Sequence, residues 1–196
     1  MSKIIEKRNY IILLFIVILS VWILLPKERH PFVKSFNYKK QLITIVIYDN
    51  INQKKMKKDI KKICNNKEKD DNDILSGSYK AKKIISYFKK NNIKKYIINE
   101  NGNISVGKRY NKNKYNISIN NPKDNSIVKI VKLEYQTMAT HSDGENSISV
   151  ISNDVIKANT LKYELFDIDI NSAKEIVKKN NVKVIWYRND EILIAQ

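Results

Sequence analysis

The chain has 196 residues, 37 Lys+Arg against 20 Asp+Glu, and a single cysteine. That length admits one ordinary domain with an appended segment and excludes two full domains, while one cysteine excludes a disulfide framework and any cysteine-cluster metal site. The formal charge of +17 would suit nucleic acid, but lysine supplies 33 of the 37 basic residues and arginine only four. Lysine, isoleucine and asparagine fill 91 of the 196 positions. The charge is therefore a compositional background, the arginine forks that read bases and phosphates are scarce, and no nucleic-acid site is expected.

Tyr10 to Leu25 read YIILLFIVILSVWILL, with Ser20 the one polar residue. At about 1.5 Å per residue this helix spans roughly 24 Å, and snorkelling Lys7 and Arg8 with interfacial Trp22 extend it toward a full crossing. Pro26 then stops it. A cleavable signal is the rival reading, since Lys3, Lys7 and Arg8 form a basic n-region, but no small-x-small pair follows the apolar run. A buried soluble helix would carry a polar face, and this segment has none. Residues 1–26 thus read as an uncleaved membrane anchor, 27–40 as a basic tether and 41–196 as the soluble domain. Three Lys/Arg precede the apolar run and five follow it in 27–40. The positive-inside rule would then hold the domain in the cytoplasm, though lysine background dilutes the count.

Along the soluble part, Gln41 to Tyr48 is β-rich and ends at Asp49-Asn50, which predicts a strand. Met56, Ile60 and Ile63 recur at helical spacing up to about Cys64, and Asn65 to Asn72 is a polar loop. Ala81, Ile84, Ile85 and Phe88 define a second helix, over about 78–91, closed by Asn91-Asn92. Tyr96 begins a strand, Asn101-Gly102 is a hairpin turn, and Ile104 and Val106 alternate beyond it. Tyr115, Ile117 and Ile119 alternate again before Asn121-Pro122. Ile127 to Leu133 and Ser147 to Ile151 are further strands. Val155, Ala158, Leu161 and Leu165 mark a third helix capped by Asn153 or Asp154. Ser172 with Glu175 reads as a capping box opening a fourth. A hairpin over 182–187 and 191–195, turned at Asn189-Asp190, ends the chain. Short turns between neighbouring strands imply antiparallel pairing, so the expected class is α+β: an antiparallel sheet with helices packed on it, preceded by one transmembrane helix.

Few single residues point to chemistry. Cys64 has no recognisable partner and reads as an inert, half-buried thiol. His30 lies in the tether. His141, in a polar turn between two strands, is the candidate general base, against a merely solvated loop histidine. Asp167 and Asp169 look like a carboxylate pair, but helix entry explains them better. No phosphate loop, zinc motif or Ser-His-Asp arrangement is present.

Several segments, in order, resemble the bacterial FAD:protein FMN transferases (the ApbE-type flavin transferase family). Ile97 to Val106, IINENGNISV, is similar to the family's I-N-x-G-G-N/D-I-x-V hairpin. Tyr115 to Pro122, YNISINNP, resembles its W-x-V-G-I-x-x-P strand. Met138-Ala139-Thr140 follows the V-A-T of V-A-T-S-G, and Ser147 to Leu165 resembles the closing strand and the A-D-A-L-A-T-A-L helix. Upstream, Asp73 to Ile84 resembles a shortened D-L-G-G-I-A-K-G-Y-A-V-D-K-I that keeps Asp73, Tyr79, Ala81, Lys83 and Ile84. The resemblance covers about residues 73–195, with the strand at 41–48. It implies transfer of FMN from FAD to a Ser or Thr hydroxyl of a target protein, with release of AMP and dependence on Mg²⁺. It also implies an anchored domain on the outer side of the cytoplasmic membrane. By the same resemblance, Asp73, Tyr79, Asn101, Gly102, Asn103 and Thr140 fall at cofactor-binding positions.

The departures bear on activity. The family's long segment after the early helix is represented only by NNKEKDDN. Its H-x-I-D-P-x-T-G stretch has no match between His141 and Ser147, and Lys-Gly of A-K-G-Y becomes Gly77-Ser78. The metal-binding Asp and Thr of the family fall on Asn159 and Tyr163, and a neutral amide is a poor ligand for a hard Mg²⁺. Phosphoryl transfer at a pyrophosphate depends on such a metal and on positioning. The expectation is a membrane-anchored homologue with impaired or lost transferase activity, acting on FAD and Mg²⁺ or on neither. The alternative is a non-catalytic anchored domain that binds a partner protein or a flavin-like ligand.

Overall fold

The computed structural model describes residues 31–38, 41–66, 75–109 and 113–196. The expected anchor at 1–26, Asp73 and most of the polar loop after Asn65 lie outside these residues. Among the described residues, no helix is long and apolar enough to cross a membrane.

Strand β1 (Phe32–Tyr38) pairs antiparallel with β2 (Gln41–Ile47), from Phe32 opposite Ile47 to Tyr38 opposite Gln41. Part of the expected tether is therefore an edge strand, in which Phe32 and Phe36 pack against the core while Val33 and Lys34 stay exposed. Helix α1 (Gln53–Asn65) buries Met56, Ile60 and Cys64 at four-residue intervals, and Asn52 caps it by accepting the Lys55 N–H at 3.1 Å. Helix α2 (Ser76–Lys90) buries Ala81, Ile84 and Phe88 on one face. Then come β3 (Tyr96–Glu100), β4 (Asn103–Val106), β5 (Tyr115–Asn120), β6 (Ile127–Leu133), β7 (Gln136–Ser142) and β8 (Ser147–Ser152). Helices α3 (Val155–Glu164) and α4 (Ile170–Asn180) precede the closing hairpin of β9 (Lys183–Arg188) and β10 (Glu191–Ala195).

Eight strands make one antiparallel sheet in the order β1-β2-β3-β4-β7-β8-β9-β10, and β5-β6 form a separate two-stranded hairpin. The period-two alternation divides the sheet's side chains between two faces. One face carries Ile43, Ile45 and Ile98 under α1 and α2, where they meet Ile60, Ile84 and Phe88, and Ala139, Val150, Val184 and Trp186 under α3 and α4. The opposite face carries Val106, Met138, Ile151 and Ile185, which pack against Tyr115, Ile119, Val131 and Leu133 of the β5-β6 hairpin. The expected α+β class holds. The hairpin laid over the second face is an addition that short-turn reasoning did not separate from the main sheet.

Turn chemistry explains the two tightest connections. Asn101 (φ 47°) and Gly102 (φ 88°) join β3 to β4, and Asn189 (φ 50°) and Asp190 (φ 62°) join β9 to β10. Two successive left-handed residues match the right-handed strand twist. The helix starts differ from the capping-box expectation. Asp169, not Ser172, caps α4, accepting the Asn171 and Ser172 N–H groups at 2.9 and 3.2 Å, because a carboxylate three residues upstream meets the free amides first. Asp154 caps α3, accepting from Ile156 and Lys157.

Candidate functional site: a polar groove backed by a buried charge cluster

On the hairpin side of the sheet, β4, β7 and β8 are partly covered by the end of the β5-β6 hairpin, enclosing a groove of about 430 Å³. Its floor includes Ile104, Met138 and Ser149, and Asn121, Pro122 and Asn125 stand across from them. The volume lies within the range of small-molecule sites. Asn101 and Gly102, Thr140 and His141 all border this groove. The structure thus brings together four of the sequence-predicted site residues from two segments nearly forty positions apart. Thr140 Oγ1 and Ser149 Oγ lie 2.9 Å apart in a hydrogen bond across the β7-β8 pair. A side chain at 102 would meet nothing within 4 Å but would be strained by its φ of +88°, so glycine serves the turn there.

Behind the groove, on the helix side, lies a buried polar cluster. The tight turn sets Glu100 opposite Asn103. Asn103 stands at the centre: its Nδ2 donates to Glu100 Oε2 at 3.1 Å and to Asn159 Oδ1 at 3.4 Å. Its Oδ1 accepts from Lys162 Nζ at 2.9 Å and from the Thr140 N–H at 3.3 Å. Ser78 Oγ donates to Glu100 Oε2 at 3.0 Å and accepts from Asn159 Nδ2 at 2.7 Å. Lys162 Nζ also donates to the Thr140 carbonyl at 3.2 Å. Glu100 is 3 % exposed, Lys162 5 % and Asn159 1 %. Among the described residues, no buried side-chain polar atom lacks a partner.

Local sequence makes this convergence possible. Asn159 and Lys162 are three apart on α3 and so share a face. Gly77 opens the start of α2: a Cβ there would sit 2.4 Å from Glu100 Oε1 and 2.3 Å from Gln41 Oε1. Burial pushes the Glu100 carboxyl above its ordinary range, opposed by the Asn103 and Ser78 hydrogen bonds and by the charge of Lys162. Burial likewise lowers the Lys162 amine to about 8, opposed by Glu100, so the lysine stays mostly protonated at neutral pH.

The remaining expected positions fall elsewhere. His141 is not in a turn. It is the sixth residue of β7, opposite Ile148. Its ring packs 4.9 Å from Tyr163 and, edge-on, 4.6 Å from Phe166. The strand runs past the expected turn because Thr140, His141 and Ser142 pair fully with β8. Tyr163 is 41 % exposed and also offers its ring face to Lys162 Nζ, 4.8 Å from the centroid. Tyr79 is half-buried in the first turn of α2 and does not border the groove. Cys64 is fully buried rather than half-buried.

A Mg²⁺ ion requires a near-octahedral shell of oxygen ligands. Asn159 Oδ1, Asn103 Oδ1, the Thr140 carbonyl and Glu100 Oε2 each already accept an N–H or O–H. The position after Lys162 is an aromatic ring packed on a histidine. Among the described residues, no group of three or more His, Cys, Asp or Glu is placed to hold a metal ion. Among the described residues, this cluster does not fit Mg²⁺.

Glu100 and Lys162 were not singled out from sequence, and Ser78 entered there only as a departure from the family's A-K-G-Y segment. A signal existed for Glu100: it ends the alternation Tyr96, Ile98, Glu100 on the core-facing side of β3. For Lys162 the signal was drowned by 32 other lysines.

An antiparallel sheet with helices on one face, a hairpin on the other and a polar groove at the β3-β4 turn defines a flavin-transferase type of α+β domain. A model of the ApbE family matches residues 40–156, more than half the chain, and the chain belongs to that family. Solved structures share the fold. The flavin transferase ApbE from Vibrio cholerae superposes with a TM-score of 0.71 at 9 % identity, covering 85 % of this chain and 97 % of that one. The ApbE protein from Thermotoga maritima gives 0.65 at 11 % identity, with 85 % and 97 % covered. The flavinyl transferase ApbE from Pseudomonas stutzeri, in its apo form, gives 0.52 at 14 % identity, with 63 % and 46 % covered. No curated protein matches the sequence significantly.

Proposed function

We propose that this chain is a membrane-anchored ApbE-family protein in which Mg²⁺-dependent transfer of FMN from FAD to a target protein is impaired or lost. In that reaction a Ser or Thr hydroxyl oxygen attacks the FMN phosphorus. The pyrophosphate P–O bond breaks, AMP leaves with the electron pair, and the hydroxyl proton passes to a base. A metal neutralises the charge that gathers on the phosphates, and its loss removes several kcal/mol of transition-state stabilisation. The observation that carries this reading is Asn159: a neutral amide, turned into hydrogen bonds with Ser78 and Asn103. The test is to incubate the full-length protein with FAD, Mg²⁺ and a flavin-accepting target protein, then inspect a denaturing gel for flavin fluorescence. No fluorescent target band is expected, and a strong one would refute the reading.

The groove favours a second role, non-catalytic binding of a flavin-like ligand or a flavin-carrying partner. Asn101, Gly102, Thr140 and His141 border it, and Thr140 keeps its hydroxyl on the groove side, bonded to Ser149, while its backbone serves the charge cluster. Here binding would quench flavin fluorescence, and replacing Thr140 and Gly102 by Val would weaken it. No quenching at high micromolar flavin would leave a scaffold. Residues 1–26 form the anchor in this proposal, with the domain outside the cytoplasmic membrane. Protease added to intact spheroplasts would then digest the domain, whereas full protection would place it inside.

A further inference from the structure

We infer that the ammonium of Lys162 is the resident cation of this site, so that the domain is complete without a divalent metal. The argument is one of coordination. An ammonium has three N–H donors and no acceptor. Two oxygens face Lys162 Nζ, Asn103 Oδ1 at 2.9 Å and the Thr140 carbonyl at 3.2 Å. The Tyr163 ring covers a third side, its centroid 4.8 Å away, and an aromatic face attracts a cation. The negative partner, Glu100, is linked through the Asn103 amide, which donates to the carboxylate at one end and accepts from the ammonium at the other. A buried charge persists when hydrogen bonds and an opposite charge compensate it; this one has two oxygen acceptors and Glu100 across a bridging amide.

The same geometry repels a metal ion. A divalent cation seeking Asn103 Oδ1 or the Thr140 carbonyl would meet a like charge already bound to both. Asn159 beside it is a neutral amide and donates Nδ2 to Ser78. The cluster thus combines a fixed positive charge, two neutral oxygens, an aromatic wall and one relayed carboxylate. This arrangement holds whether or not the groove binds flavin, so it can fail while the functional reading stands.

The test uses the purified full-length protein and Mn²⁺ as a spectroscopic stand-in for Mg²⁺. Electron paramagnetic resonance of free Mn²⁺ should show no tight binding to this cluster, and the melting temperature should be the same in EDTA and in Mg²⁺. One tightly held Mn²⁺ per chain that disappears in Glu100→Gln would overturn the inference. Lys162→Ala should melt at least about 5 °C lower, as expected for breaking a buried charge pair in a domain of this size. Melting of that variant at the wild-type temperature in EDTA would also overturn it. Should Lys162→Ala not fold, the wild-type Mn²⁺ measurement still decides.

Discussion

Asn103 makes four hydrogen bonds through one amide, two as donor and two as acceptor. Its removal leaves a carboxylate, an ammonium and a backbone N–H short of partners inside the domain. Asn103→Leu should therefore cost about 3 kcal/mol of stability, the range for breaking a buried, hydrogen-bonded charge link. Urea denaturation measures this, and a loss under about 1 kcal/mol would show that the cluster relaxes or hydrates freely. Cys64 offers a second check at this scale. Desolvation pushes its thiol up to about 11, against the lowering effect of Lys80, and only the thiolate reacts. A thiol reagent at pH 8 should modify the native protein far more slowly than the urea-unfolded one. Equal rates would place Cys64 at the surface.

Helix α3 carries both Asn159 and Lys162, so its start matters to the site. Asp154 caps it, and Lys82 lies 3.1 Å from the same carboxylate. Burial would raise that carboxyl, but the Lys157 N–H, the Lys82 ammonium and the Ile156 N–H together hold it below its ordinary range. A carboxylate whose pKa is lowered on folding stabilises above its unfolded value. The contribution disappears as pH falls through the folded one. Asp154→Ala should thus cost about 1 kcal/mol at neutral pH, with the gap to wild type closing below the ordinary carboxylate range. A gap that persists in acid would point to packing rather than capping. At the same scale, most elements were legible because strand alternation and helical spacing are strong in Ile-rich segments. Phe32–Tyr38 was not, since the strand lies between charged flanks (Lys27 to Arg29 and Lys39-Lys40) and pairs with a neighbour only two residues away. The groove residues Asn101, Gly102 and Thr140 were found by motif. Glu100 and Lys162 were missed because their meaning is tertiary: a charge is significant here only when burial and the Asn103 bridge are known.

The whole molecule keeps the ApbE fold while its cluster of Glu100, Asn103, Asn159 and Lys162 has closed upon itself. In this cluster Asn103 Oδ1 and the Thr140 carbonyl already face the Lys162 ammonium, a like charge that disfavours a metal, and a pyrophosphate bond cleaved without one faces a much higher barrier. Release of AMP from FAD measures that barrier most directly. The full-length protein should be incubated with FAD, Mg²⁺ and a flavin-accepting target, and nucleotides separated by chromatography over time. Our account predicts that FAD stays intact, with AMP no higher than in a control lacking the protein. Catalytic release of AMP, dependent on both Mg²⁺ and the target, would contradict it.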